Sequence, residues 1–221
     1  MRTWKTFVLV IAFAMSLPAL AAAEQHEPTL PEIKQTEDGM YAQAWLYESS
    51  MDLRKDLAAA AKQGKRLVIF WEQKDCFDCK PLYDVNLRIP RIVGKITKNF
   101  NVIKLDILGG RMITDLDGTA LSEEKLARKS RISFAPTLQF LPESLEKAAG
   151  KGLADAEVFR SEGYFKPFHF NFLFHYVQTN GYESQPEFQR WLGEIGRGLE
   201  AKGIEYDLWA ESLPHHLPAE Y

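Results

Sequence analysis

Apolar residues recur at helical spacing at Leu53, Leu57 and Ala60 or Ala61, and then close up into an unbroken run from Leu67 to Trp71. The first pattern predicts a helix that begins at Ser49, capped by Ser49 or Ser50, with Asp52 adding negative charge to its first turn. Gly64 ends it, and Lys62 and Lys65 sit near its negative end. The second pattern predicts a strand from Arg66 to Trp71, buried on both faces. A polar turn and a further helix follow, with Pro81 in the opening turn and Leu82, Val85 and Leu87 facing inward. Pro90 kinks or restarts this helix, and Ile92, Val93 and Ile96 carry the pattern on to Phe100. Val102 to Leu108 reads as a second buried strand with Asp106 as its polar exception. Gly109 and Gly110 make a turn, and Asp117-Gly118 predicts a small hairpin.

Ser122 opens a short helix through Lys129, and Phe134 to Leu141 is a third strand with Pro136 at its start, where no ladder hydrogen bond has to be donated. Residues 142–157 read as a loop, Val158 to Ser161 as an edge strand, and Phe168 to Gln178 as an aromatic helix closed by Asn180-Gly181. A last helix runs from Ser184 and Pro186 to about Lys202, with Phe188, Trp191, Leu192 and Ile195 on one face. His215 and His216 fall in a tail. Helices alternating with apolar strands, the last two strands antiparallel, imply an α/β sandwich around a mixed sheet.

The start of the chain does not belong to that pattern. Arg2 and Lys5 precede an apolar run from Phe7 to Leu17, too short to span a bilayer. Pro18 breaks it, and small residues at Ala19-Leu20-Ala21 and Ala21-Ala22-Ala23 fit an export cleavage site. Residues 1–23 are therefore read as a signal peptide cleaved after Ala23, with a retained membrane anchor as the competing reading. Residues 24–45 form a polar N-terminal extension, 46–180 the main domain, and 181–221 a C-terminal helical extension and tail. Tyr41, Trp45 and Tyr47 are expected to dock on the domain. Without Arg2 and Lys5 the basic residues fall from 27 to 25 against 30 acidic, a net charge near −5. That argues against nucleic acid as a partner, since phosphate neutralisation needs basic patches. The mature protein is expected to be soluble in an oxidising compartment.

Composition adds one informative number: the chain has two cysteines, Cys76 and Cys79, both inside one four-residue motif. A bridge closing so small a loop gains little chain entropy. Reactivity explains the pair better than stapling does. Two cysteines three positions apart after a buried strand, at the mouth of a helix, form a redox arrangement in which the helix start favours a thiolate on the first cysteine. Zinc would need about four ligands where this motif supplies two, and Lys80 stands where covalent haem needs histidine. No cofactor is expected, and His169 and His175 read as structural.

The ordered set of motifs resembles a known family. The C-x-x-C after the first strand, Ala135-Pro136-Thr137 before a later one and Gly163-Tyr164 before the aromatic helix look like a thioredoxin-like fold, a three-layer sandwich with N- and C-terminal extensions. Trp71-Glu72-Gln73 is similar to the Phe-Glu-Gln of SoxW-type exported thioredoxins. So are Thr114 to Gly118, Leu126 to Lys129, Ala135 to Leu138, Tyr176 to Tyr182 and the helix from Asp52-Leu53 to Arg66. The resemblance covers residues 40–190. Phe77 and Asp78 between the cysteines, and the chain beyond about residue 190, depart from the family pattern. It implies a periplasmic thiol–disulfide oxidoreductase linked in some bacteria to sulfur oxidation. It also implies a cis bond before Pro136 facing the cysteines, and recharging by a membrane electron donor of the DsbD or CcdA type. The substrate protein is a sulfur-oxidation protein, an apocytochrome or a general periplasmic disulfide.

Cys76 is the expected nucleophile and Cys79 the resolving cysteine. Asp75 and Asp78 disfavour a thiolate while Lys74 and Lys80 favour it, so the balance is near neutral and the expected role is a reductant rather than a strong oxidase. Glu72 is either a proton shuttle for Cys79 or a solvated strand-end residue. Trp71, Phe77, Ala135 and Pro136 are read as an apolar rim for a substrate chain, with core packing as the competing reading for Trp71. A disulfide isomerase or oxidase, and a non-catalytic binding module on the same fold, are the alternative functions.

Overall fold

The computed structural model describes residues 30, 32–33, 35–36 and 39–221. The expected signal peptide, residues 1–23, lies outside them. Helix α1 spans Leu53–Lys62 and is capped by Asp52, whose side chain accepts from the Arg54 N–H at 3.1 Å. The cap is thus Asp52 and not Ser49 or Ser50. Both serine hydroxyls and the Ser50 N–H are drawn instead to the buried Asp56 carboxylate. Gly64 follows the helix with φ +67°, a conformation that glycine adopts without steric cost.

Strand β1, Arg66–Glu72, is buried along its whole length. It pairs in parallel with β2, Phe100–Asp106, and antiparallel with β5, Thr137–Phe140. Strand β6, Phe159–Glu162, adds to β5 antiparallel and forms the edge, giving the order β2-β1-β5-β6. Strand β2 starts two residues earlier than the apolar run suggests, directly from the end of helix α3, Pro90–Asn99. Pro90 is the first residue of α3, so it restarts the helix rather than kinking it. The expected hairpin forms between β3, Met112–Thr114, and β4, Ala120–Ser122, around Gly118. Ser122 caps α4, Glu123–Lys129. The segment read as a plain loop at 142–157 contains a short helix, α5, Leu153–Ala156.

Alternation along the strands divides the core in two. Leu67, Ile69 and Trp71 of β1 pack with Ile103 and Leu105 under α1 and α4. Val68 and Phe70 face the other side, with Val102, Leu138 and Phe140. That side is covered by α2, Lys80–Asp84, by α3 and by the aromatic helix α6, Pro167–Gln178. Phe174 of α6 meets Phe100 and Phe140 edge-on, at centroid distances of 5.1 and 5.3 Å. The result is a mixed sheet between two helical layers.

The aromatic helix is followed by α7, Gly181–Ser184, and α8, Phe188–Ala201, so Asn180-Gly181 starts a new turn as well as closing the old one. Phe188, Trp191, Leu192 and Leu199 join the same buried cluster as α6, as do Leu213 and Leu217. Tyr206 stacks on Phe168 at 4.7 Å, and the Arg91 guanidinium donates to the Pro218 carbonyl. The residues after 181 therefore complete one helical layer. The stretch read as a tail packs against the body.

Candidate active site

The C-terminal end of β1 delivers its chain into a turn and then into α2. Asp75 in that turn has φ +52°, a left-handed conformation that aspartate tolerates better than most residues. Its N–H bonds to the Gly39 carbonyl at 3.3 Å, which ties the N-terminal segment to the turn. Cys79 is the N-cap of α2, and Pro81 falls in its first turn. Cys76 lies three residues before the cap, so it precedes the helix instead of sitting in its mouth. The Cys79 N–H nonetheless points at it, 3.1 Å from Cys76 Sγ.

The two cysteines are joined, with Sγ–Sγ 2.06 Å and Cα–Cα 5.2 Å. Cys76 keeps 4% of its surface exposed and Cys79 none, so a partner sulfur reaches Cys76 first. Phe77 between them is 85% exposed. The Lys80 ammonium is engaged by the Asp84 carboxylate one turn along α2, and the other charged residues next to the cysteines in sequence are Lys74, Asp75 and Asp78.

Glu72 is the last residue of β1 and points to the same side of the sheet as Phe70, the side that carries both cysteines. It is buried, which rules out the solvated strand-end reading. Burial pushes its carboxyl up to about 7, against the pull of a hydrogen bond from Tyr83 and of the Lys104 ammonium, while Asp106 pushes it further up. Lys104 and Asp106 stand opposite Phe70 and Glu72 in the parallel register.

The expected substrate rim is only partly assembled. Trp71 is fully buried on the opposite side of the sheet, with its Nε1–H donating to Gln139 Oε1 at 2.8 Å. It cannot touch a substrate chain: strand alternation turns residue 71 away from residue 72. Ala135 and Pro136 are buried as well. The Ala135–Pro136 bond is cis. Because Thr137 pairs with Trp71 in an antiparallel ladder, the residues just before Thr137 run alongside the turn that follows Glu72. Ala135 shares the buried cluster of Cys76 and Cys79. Of the four rim residues, Phe77 alone faces solvent, and Phe134, 44% exposed, is an addition. Phe134 was hidden in the sequence because it reads as the first residue of a buried strand. Tyr83, bonded to Glu72, is absent from the sequence reading, although its place four residues after Cys79, on the same face of the helix, is a signal that could have found it.

Among the described residues no group of three or more His, Cys, Asp or Glu could hold a metal ion, and no helix is long and apolar enough to cross a membrane.

A family model described as a thioredoxin-like domain matches residues 53–167, a span that holds every strand among the described residues, both cysteines, Glu72 and Pro136. No curated protein matches the chain. Among solved structures, a thioredoxin-fold protein from Helicobacter pylori is similar, with a TM-score of 0.48 and 11% identity over 67% of this chain and 98% of that one.

Proposed function

We propose that this chain, which belongs to the thioredoxin-like domain family, is a thiol–disulfide oxidoreductase that reduces protein disulfides through Cys76 and Cys79. The observation that carries this is the bridged pair itself: one sulfur reachable, one covered, at the end of a strand whose last carboxyl is buried on the same side of the sheet. In the reduced protein the Cys76 thiolate attacks a substrate disulfide. A Cys76–substrate S–S bond forms, the substrate S–S bond breaks, and the departing sulfur leaves as a thiolate that takes a proton from water. The Cys79 thiol then gives its proton to the Glu72 carboxylate, and Cys79 attacks Cys76 Sγ. The Cys76–Cys79 bond forms as the second substrate sulfur leaves. The substrate gains two electrons and the pair loses two.

A group that titrates near neutrality suits this transfer, because it takes the proton from a thiol and releases it afterwards without leaving the working pH range. The reductant direction is supported by the local charge. With Lys80 held by Asp84, and Asp75 and Asp78 flanking the cysteines, the neighbours of Cys76 in sequence disfavour the strongly stabilised thiolate that a strong oxidase uses. The motifs shared with SoxW-type proteins and the N-terminal sequence pattern support a periplasmic setting. They also support a role in sulfur oxidation or cytochrome c maturation, and recharging by a membrane dithiol donor of the DsbD or CcdA type.

Trapping tests the reading. Cys79→Ser is expected to accumulate a covalent mixed disulfide through Cys76 when mixed with a disulfide substrate such as insulin, visible on a non-reducing gel and by intact mass. Cys76→Ser is expected to trap nothing. Failure of Cys79→Ser to trap, or trapping by Cys76→Ser, contradicts the assignment.

A further inference from the structure

Glu72 is held by a side chain that the exchange steps above do not use. Tyr83 lies on α2 one turn beyond Cys79, and its backbone N–H reaches the Cys79 carbonyl at 3.3 Å. The ring is fully buried, and its hydroxyl donates to Glu72 Oε1. One face of the ring is covered by Tyr41, with centroids 4.2 Å apart and planes within 13°. Tyr41 is anchored in turn, because the Lys104 ammonium donates to its carbonyl. Two residues earlier, Gly39 lies so close to the active-site turn that a Cβ there would be 2.8 Å from Lys74 Cγ.

We propose that Tyr83 is a positioning residue for the exchange: its hydroxyl fixes the orientation and charge state in which Glu72 receives the Cys79 proton, and the stacked Tyr41 ring keeps water from that hydrogen bond. The inference rests on Glu72 being the proton acceptor. A phenol suits this position because it donates a hydrogen bond while staying neutral. Burial and the neighbouring Glu72 both drive Tyr83 ionisation well above its usual range, so the donor stays in place wherever the protein works.

The groups facing Glu72 come from three elements. Tyr83 comes from α2, Lys104 and Asp106 from β2, and Tyr41 from the N-terminal segment; Asp84 and Lys80 of α2 act in turn on the Tyr41 ring. Lys104 and Asp106 carry opposite charges and line a cleft of about 650 Å³ shared with Met40, so solvent stands close by. The Tyr83 hydroxyl and the Tyr41 ring then act on the carboxyl in opposite senses. The hydroxyl stabilises the anion, and the ring, by excluding water, destabilises it.

The test reads Glu72 directly, as the pH midpoint of its side-chain carboxyl carbon in ¹³C-glutamate-labelled full-length protein, assigned with Glu72→Gln. Tyr83→Phe keeps the ring and the stack, and is expected to raise the midpoint by about one pH unit or more. Tyr41→Ala is expected to lower it. The pH profile of disulfide exchange should move with the midpoint in each variant, and Tyr83→Phe should have no further effect on that profile in a Glu72→Gln background. Shifts of the same sign in the two variants, or no shift in Tyr83→Phe, overturn the inference. If the midpoint moves as expected but Cys79→Ser traps no substrate, the oxidoreductase reading falls while the hold of Tyr83 on the carboxyl stands.

Discussion

Glu72 ties the proposed chemistry of the site to the stability of the fold. Its carboxyl is pushed from 4.5 to about 7 by burial, so the native state keeps a proton that the unfolded chain releases. Below pH 4.5 both states are protonated and the residue is neutral in effect. Between pH 4.5 and about 7 the native state binds more protons, and stability falls as pH rises. Above that range the loss is complete, at about 3 kcal/mol. Glu72→Gln is therefore expected to match the parent protein in acid and to exceed it by about 3 kcal/mol above neutrality, as read by denaturant unfolding of the oxidised form across pH. A difference independent of pH would show that the carboxyl does not titrate in this window. The same substitution is expected to remove the neutral-range step from the pH profile of exchange, so stability and activity move in opposite directions at this position.

Among the elements, α8 shows most clearly what the sequence revealed and what it concealed. Its apolar face, Phe188, Trp191, Leu192 and Ile195, is plain in the helical spacing. What that face packs against is not, because it meets α6 across a stretch of chain that no local pattern describes. Trp191 rests against Phe172, Tyr176 and Phe188. Trp191→Ala is expected to cost about 3–5 kcal/mol, measured by chemical denaturation. A cost below about 1 kcal/mol would mean that α8 is a dispensable appendage.

Strands β1 and β2, the hairpin and the edge strand were all legible, since buried runs, Asp-Gly and Gly-rich turns are local signals. The cap of α1 was not. Ser49, Ser50 and Asp52 are all competent caps, and the choice was made by the distant demand of Asp56 for donors. Trp71 was misplaced on the rim for a related reason. A strand buried on both faces carries no alternation to say which side residue 71 takes, and only the helices packed on the sheet decide it.

At the scale of the whole molecule, the chain sets its cysteine pair just beyond the end of its central strand and encloses that strand between two helical layers. The N-terminal segment closes over the site, through Tyr41 on Tyr83 and Gly39 on the turn. The C-terminal residues complete the layer behind it. The result is a site with one accessible sulfur, two acidic residues, Asp75 and Asp78, flanking the cysteines, and a buried acid pushed up to about 7. The proposed reductant role turns on the reduction potential of the Cys76–Cys79 pair. Equilibration of the protein in dithiothreitol or glutathione buffers is expected to give a reversible two-electron transition at about −250 mV or lower. A transition above about −180 mV, or no reversible transition at all, would contradict it.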